Sequence, residues 1–124
     1  MKNIAIIDDY DLMAETVYDF IEDILDDLDK SDEFKISTYS DARVALGELG
    51  SGDIVISDID MSGKMNGLDF AEGAKQEGIN VILSSGNPEY KDRVSGKFPF
   101  LSKPYLYEDI SNLIIPYLNG GSDE

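Results

Sequence analysis

The sequence has 124 residues, 42% of them hydrophobic, and its 26 acidic against 10 basic residues give a formal net charge of −16. This length predicts one domain with its own hydrophobic core, and the charge argues against binding to nucleic acid or anionic lipid because like charges repel. Neither cysteine nor histidine occurs, which excludes disulfides, a thiol nucleophile, an imidazole base and a phosphohistidine, and leaves no typical zinc ligands.

Short apolar runs alternate with helix-periodic stretches along the chain. The runs predict five strands, at 3–7, 34–39, 53–57, 80–84 and 98–102, and the stretches between them predict helices at 11–30, 40–49, 68–76 and 106–118. Segment 86–96 contains two glycines and a proline and has little apolar periodicity. It therefore predicts a loop or one loose turn, so that the fourth helix would be short or irregular. This alternation is typical of an α/β, doubly wound parallel sheet.

Helix boundaries follow from capping residues. Ser40 is the predicted cap of the second helix, Asn66-Gly67 opens the third, and Gly78 closes it. Pro116 should kink or fray the last turn of the final helix. The first helix carries six acidic residues on its predicted outer face, which is either a docking surface or a solvated helix face; they are Glu15, Asp19, Glu22, Asp23, Asp26 and Asp27.

Polar residues follow four of the predicted strands: Asp8-Asp9, Asp58, Ser85 and Lys103-Pro104. Because the carboxyl ends of parallel strands lie along one edge, we expect these side chains to meet there. Carboxylates hold Mg²⁺, and an ammonium and a hydroxyl neutralise phosphate oxygens. Ser84 is a competing hydroxyl, but alternation directs only one of the two serines to the site, and the small Gly86 favours Ser85. The set predicts a phosphoryl-transfer site.

The order and spacing of these residues resemble the receiver domain of two-component response regulators (CheY-like, stand-alone type), from Ile4 to about Leu118. The resemblance implies a flavodoxin-like strand order. It also implies a Mg²⁺-dependent phosphorylation, with Mn²⁺ as a possible substitute, in which Asp58 at the end of the third strand is the acceptor. The donor would be a phosphohistidine on a sensor histidine kinase or a histidine phosphotransfer protein. An unidentified downstream protein target would read the result.

The resemblance assigns further roles by position. Asp8, Asp9, Asp58 and the backbone carbonyl of Asp60 would hold the metal, and Ser85 and Lys103 would contact the phosphoryl oxygens. Ser85 and the aromatic Phe100 would act as the switch. The bond between Lys103 and Pro104 would be cis.

The chain also departs from the common receiver pattern. The turn 61–67 is one residue longer than in many receivers and has Ser62 where proline is usual. Asp60 adds a carboxylate near the acceptor, and Phe100 replaces a frequent tyrosine. The weak fourth helix alters what is usually the output and dimerisation face, so the sequence predicts no oligomeric state.

Residues 1–119 are predicted to form the receiver domain and 120–124 a disordered tail. No leader or apolar span is evident, so we expect a cytoplasmic protein without membrane or nucleic-acid partners. Three functions stay open: a phosphorelay intermediate, a phosphorylation-gated binding module, and the receiver of a hybrid kinase. Reverse transfer to a histidine-bearing partner would separate the first two. Beyond its own phosphorylation and dephosphorylation, we expect no independent small-molecule substrate.

Two other interpretations are weaker. Segment 58–69 resembles a calcium-binding EF-hand loop, but a β-branched run precedes it where a helix is required. Asp58, Asp60, Ser85 and Lys103 also resemble the site of haloacid-dehalogenase-like phosphatases, which form an aspartyl-phosphate. Those enzymes expect the first aspartate on the first strand and an acidic pair downstream, whereas here the pair Asp8-Asp9 lies upstream.

Overall fold

The computed structural model describes residues 1–61 and 65–119 as a five-stranded sheet flanked by five helices. The strands are β1 (Lys2–Ile7), β2 (Phe34–Tyr39), β3 (Ile54–Asp58), β4 (Asn80–Ser85) and β5 (Phe100–Ser102). The helices are α1 (Asp11–Asp27), α2 (Ala42–Glu48), α3 (Gly67–Gln76), α4 (Pro88–Val94) and α5 (Tyr107–Leu118). All neighbouring strands are parallel, in the order β2-β1-β3-β4-β5. This confirms the doubly wound sheet with flavodoxin-like order.

Two hydrophobic layers cover the sheet, one on each face. Alternate strand residues such as Ile4, Ile54 and Ile82 pack against α1 and α5. The intervening residues, such as Ala5 and Val55, pack against α2, α3 and α4. Because both faces are buried, the central strands are apolar along their whole length instead of alternating with polar residues.

The register of the strands brings their carboxyl ends level. Ile7 pairs with Ser57, Asp58 pairs with Ser84, and Ser85 pairs with Ser102. The residues that follow these strands therefore meet at one edge of the sheet, and that edge carries the candidate site.

Helix α1 ends three residues earlier than the predicted 11–30. Asp29 has a left-handed φ of 56°, its N–H donates to the Asp26 carbonyl, and the Lys30 N–H donates to the Leu25 carbonyl at 2.8 Å. This is the Schellman arrangement, in which a left-handed residue stops the helix and satisfies its last carbonyls. An aspartate stands where glycine is usual, so the sequence carried no glycine signal for the end.

Helix α4 is short, as predicted, but it is a regular seven-residue helix and not a loop or a single loose turn. The Asn87 side chain accepts a hydrogen bond from the Glu89 N–H at 3.0 Å, and Pro88 occupies the first turn. An asparagine cap followed by proline is a helix start signal. That local signal prevailed over the weak apolar periodicity, with Val94 as the one buried residue of the helix.

Other boundaries shift by one or two residues. Asp41, not Ser40, caps α2, with its side chain accepting from the Arg43 N–H at 2.9 Å. Asn66 caps α3 as predicted, accepting from the Asp69 N–H. Helix α5 continues through Pro116 to Leu118. The predicted tail at 120–124 and residues 62–64 of the predicted lengthened turn lie outside the described residues. Among residues 1–61 and 65–119, no helix is long and apolar enough to cross a membrane.

Gly67 packs directly against the end of β3. A Cβ at this position would collide with the carbonyl oxygen of Asp58 and lie 2.6 Å from the Cα of Ile59. Its N–H also donates to the Ile59 carbonyl at 3.1 Å. The absence of a side chain therefore lets α3 begin against the strand that carries Asp58.

We predict that Gly67→Ala lowers the free energy of unfolding by about 1–3 kcal/mol, because backbone atoms of β3 must move to admit the methyl group. Gly47→Ala is the matched control, since a Cβ at that helical position meets nothing within 4 Å. The control should gain about 0.5–1 kcal/mol from helix propensity. Urea unfolding of both variants measures the contrast, and equal effects would contradict the packing argument.

Candidate functional site at the carboxyl edge of the sheet

Three carboxylates converge at the carboxyl edge. Asp8 and Asp9 follow β1, and Asp58 ends β3. Asp8 and Asp58 are buried and Asp9 is exposed, and each offers an oxygen within 4.8 Å of the other two. The structure thus brings together three of the four predicted metal ligands. A compact set of hard oxygen donors suits Mg²⁺ or Mn²⁺, and the absence of histidine and cysteine disfavours softer metals.

Lys103 balances the buried charges. Its Nζ lies 3.1 Å from Asp58 Oδ2 and 3.4 Å from Asp8 Oδ2. The peptide bond to Pro104 is cis, as predicted, and the Lys103 N–H donates to the Ser85 carbonyl at 3.1 Å. The β5–α5 loop is therefore fastened to the end of β4, and the ammonium is held between the two buried carboxylates.

Backbone groups hold the other carboxylate oxygens. Asp8 Oδ1 accepts from the Tyr10 N–H at 2.9 Å, and Asp58 Oδ1 accepts from the Asp60 N–H at 3.2 Å. Each buried aspartate therefore has one oxygen fixed by the loop that follows its strand and one facing the ammonium. The predicted contribution of the Asp60 carbonyl to a metal remains a prediction.

The electrostatics of the site follow from burial and the ion pairs. Burial raises the pKa of the Asp58 carboxyl above its ordinary value, against the opposing effect of the Lys103 ammonium. Burial alone would lower the pKa of Lys103, but the nearby Tyr105, Asp58 and Asp8 outweigh it and raise that pKa. The charged carboxylate is thus disfavoured at Asp58, and the lysine remains a firmly charged ammonium.

The two adjacent serines face opposite sides of the sheet, as strand alternation requires. Ser85 Oγ donates to Asp60 Oδ2 at 3.0 Å and accepts from the Asn87 N–H at 3.0 Å. Ser84 Oγ instead forms a 2.9 Å hydrogen bond with the Tyr105 hydroxyl. Ser85 is therefore the serine that contacts Asp60, and its predicted contact with a phosphoryl group on Asp58 remains a prediction.

Tyr105 is a site residue that the sequence analysis missed. Its side chain is buried, its hydroxyl meets Ser84, and its ring lies 5.8 Å from the Lys103 Nζ. Burial raises the pKa of the Tyr105 hydroxyl to about 12, so it remains protonated. The sequence signal for it was an aromatic residue two positions after Lys103, in the segment between β5 and α5 that packs against the sheet.

Phe100, the predicted switch aromatic, is half-buried on β5. It pairs in register with Leu83 and packs against the hydrophobic layer of α2, α3 and α4. That position is core packing, and its movement on phosphorylation remains a prediction.

The two weaker interpretations lack structural support. A strand, β3, precedes Asp58, whereas an EF-hand loop lies between two helices. The acidic pair Asp8-Asp9 follows the first strand and the candidate acceptor ends the third, the reverse of the haloacid-dehalogenase-like arrangement.

This chain is similar in structure to several solved response regulator receiver domains. The receiver domain of the PhyR response regulator from Erythrobacter litoralis is 20% identical over 99% of this chain and 93% of that one, with a TM-score of 0.73. The signal receiver domain of a DNA-binding response regulator (merR) from Colwellia psychrerythraea 34H is 21% identical over 92% and 95%, with a TM-score of 0.73. The response regulator TrrA from Thermotoga maritima, in complex with Mg²⁺ and BeF, is 22% identical over 94% and 99%, with a TM-score of 0.67.

These likenesses establish the fold of response regulator receiver domains, as the sequence resemblance predicted. No protein-family model matches the chain, and no curated protein matches it either. The fold is therefore recognised through structure, and the function rests on the site.

Removing the Tyr105 hydroxyl should be costly because it leaves a buried partner unpaired. We predict that Tyr105→Phe lowers the free energy of unfolding by about 1–3 kcal/mol, the desolvation cost of the stranded Ser84 hydroxyl. The double variant Ser84→Ala, Tyr105→Phe should recover most of that loss. Urea unfolding gives the three values, and a double variant no more stable than Tyr105→Phe would contradict a direct bond.

Neutralising Asp58 should stabilise the fold in a pH-dependent way. Because its pKa is raised on folding, the charged form is disfavoured in the native state. The penalty is absent below the unfolded pKa of about 4, and it is fully present above the raised native pKa. Without added metal, Asp58→Asn should match the wild type near pH 4 and melt higher at pH 7, by a few degrees. A lower melting temperature at pH 7 would contradict this.

Proposed function

We propose that this chain is a two-component receiver that accepts a phosphoryl group on Asp58 and uses it to gate binding to a protein target. The observation that supports this most is the arrangement around Asp58. Its buried carboxylate lies 3.1 Å from an ammonium and within 4.8 Å of two further carboxylates that can hold a cation. A nucleophile, a charge-neutralising lysine and a cation site are the parts that phosphoryl transfer needs.

The chemistry follows from these parts. A carboxylate oxygen of Asp58 forms a bond to phosphorus as the P–N bond of a donor phosphohistidine breaks, and the imidazole leaves with the electron pair. Lys103 binds a phosphoryl oxygen in place of part of its present ion pairing. Hydrolysis of the acyl phosphate by water later returns the carboxylate and inorganic phosphate.

A divalent cation completes the site. Asp8, Asp9 and Asp58 would hold Mg²⁺, with the backbone carbonyl of Asp60 as the further ligand that the resemblance implies. When bound, the cation screens the repulsion between the carboxylate and the phosphoryl oxygens. The match to TrrA, whose structure contains Mg²⁺ and BeF, is consistent with such a site.

Phosphorylation would shift a conformational equilibrium. The new phosphoryl oxygens would attract the Ser85 hydroxyl and the Lys103 ammonium, and Phe100 would follow Ser85 inward. A ligand or modification shifts such an equilibrium only by the contacts it makes in one state and not in the other. Here those contacts are the bonds from Ser85 and Lys103 to the phosphoryl group.

The surface around the site suits a protein donor. Three large apolar side chains next to the site are exposed: Tyr10 (55%) just before α1, Leu12 (58%) in the first turn of α1, and Leu106 (59%) just before α5. The outer face of α1, with its six exposed acidic residues, continues from the same edge. Exposed apolar side chains near a negative helix face favour a partner with an apolar contact surface and basic neighbours. The same negative charge favours a protein partner over nucleic acid or anionic membrane.

Phosphorylation by a small donor tests the proposal without the cognate kinase. Incubation with acetyl phosphate and Mg²⁺ should add the mass of one phosphoryl group, seen by intact-mass spectrometry. Asp58→Asn should abolish the addition, and so should removal of Mg²⁺ with EDTA. Asp32→Asn, an exposed aspartate beside the opposite edge, is the matched control and should be labelled normally.

Two outcomes would overturn the proposal. One is a phosphoryl group that persists in Asp58→Asn or in EDTA, which would place the modification elsewhere or make it independent of the metal. The other is a wild type that neither accepts phosphate nor binds beryllofluoride in the presence of Mg²⁺.

A further inference from the structure

Asp60 joins the candidate acceptor to the candidate switch hydroxyl. Its N–H donates to Asp58 Oδ1 at 3.2 Å, and its Oδ2 accepts from Ser85 Oγ at 3.0 Å. Ser85 is buried and Asp60 is exposed. A single residue therefore contacts both groups between which a phosphoryl-dependent bond would form.

The contact with Asp60 uses the one proton that the Ser85 hydroxyl can donate. A hydroxyl has one proton to donate, and an ionised carboxylate can only accept. The Asn87 N–H already donates to Ser85 Oγ at 3.0 Å. The hydroxyl proton therefore points at Asp60, and none remains for a phosphoryl oxygen on Asp58 while this bond persists.

Phosphorylation of Asp58 would make a phosphoryl oxygen a better acceptor for the Ser85 hydroxyl than the Asp60 carboxylate. A phosphoryl group brings about two negative charges and three strong acceptor oxygens beside the carboxylate of Asp60. The new charge repels the carboxylate, and the phosphoryl oxygens compete for the hydroxyl. Because Asp60 is exposed, its carboxylate can turn into water at little desolvation cost, whereas buried Ser85 has to find another acceptor.

Building on the proposed function, we infer that Asp60 is a positioning residue that holds the Ser85 hydroxyl in the unphosphorylated protein and releases it when Asp58 is phosphorylated. The Asp60–Ser85 hydrogen bond opposes the switched state, so its strength sets how far a phosphoryl group shifts the equilibrium. Asp60 thus acts on the switch through Ser85 and not as a group in the transfer itself.

The first test measures binding of beryllofluoride, a phosphoryl mimic, at saturating Mg²⁺. Asp60→Ala should lower the beryllofluoride concentration for half-saturation by about fivefold, the equivalent of one hydrogen bond that no longer has to be broken. In a Ser85→Ala background the same substitution should lower the beryllofluoride concentration for half-saturation much less. Asp32→Asn is the control for loss of one surface charge and should bind like the wild type.

The second test follows the hydroxyl through its hydrogen-bond donor, and only its reference spectrum, that of the wild type with Mg²⁺ and beryllofluoride, requires a metal. The amide resonance of Asn87 reports on Ser85 Oγ, its acceptor. In Asp60→Ala this resonance should move toward its position in the beryllofluoride-bound wild type, while Asp32→Asn leaves it in place. Asp60→Asn keeps an acceptor oxygen without the charge, so its Asn87 resonance should lie between those of Asp32→Asn and Asp60→Ala.

The outcomes separate this inference from the proposed function. An Asn87 resonance that does not move in Asp60→Ala overturns the hold on Ser85, even if the protein is phosphorylated normally. An equal gain in beryllofluoride binding with and without Ser85 also overturns it, because Asp60 would then act by charge alone. A wild type that binds no beryllofluoride overturns the proposed function, and with it the release step.

Discussion

Two buried carboxylates, those of Asp8 and Asp58, share one ammonium at the carboxyl edge of the sheet. Burying like charges side by side is unfavourable unless a cation lies between them, and Lys103 supplies that cation at 3.1 and 3.4 Å. The neighbouring features serve this arrangement. Backbone N–H groups fix the outer carboxylate oxygens, Gly67 lets α3 begin against the end of β3, and the Lys103 N–H ties its loop to β4. A metal and a phosphoryl group would enter a site whose charges are already held in place.

The adjacent serines at the end of β4 bond partners of different exposure. Ser84 turns toward the layer of α1 and α5 and bonds Tyr105, which supports the ring beside Lys103. Ser85 turns the other way and bonds the exposed Asp60. The first pair is buried on both sides and therefore resists change. The second has one partner exposed to water, so its hydrogen bond can be exchanged, as the proposed switch requires.

The acidic residues behind the net charge of −16 occur in two different environments. On the outer face of α1 the acidic residues are exposed, and they remain compatible with either a docking surface or a solvated face. At the sheet edge Asp8 and Asp58 are buried, and the Lys103 ammonium balances their charge. The exposed apolar residues Tyr10, Leu12 and Leu106 flank that edge, so the surface beside the site is not acidic alone.

The sequence alone determined the fold class, the strand order through its receiver resemblance, and the cluster of Asp8, Asp58 and Lys103. Short continuous apolar runs with polar residues at their ends suffice for this, because parallel strands end at one edge. Two local predictions were wrong. Helix α1 ends earlier than predicted because Asp29 adopts the left-handed conformation without being a glycine, and α4 forms because its asparagine cap outweighs its weak apolar periodicity. Only the tertiary structure decided the pairings of Ser84 with Tyr105 and Ser85 with Asp60. Those hydrogen bonds join residues 21 and 25 positions apart, and a spacing of that length reaches contact only through the packing of strands and loops.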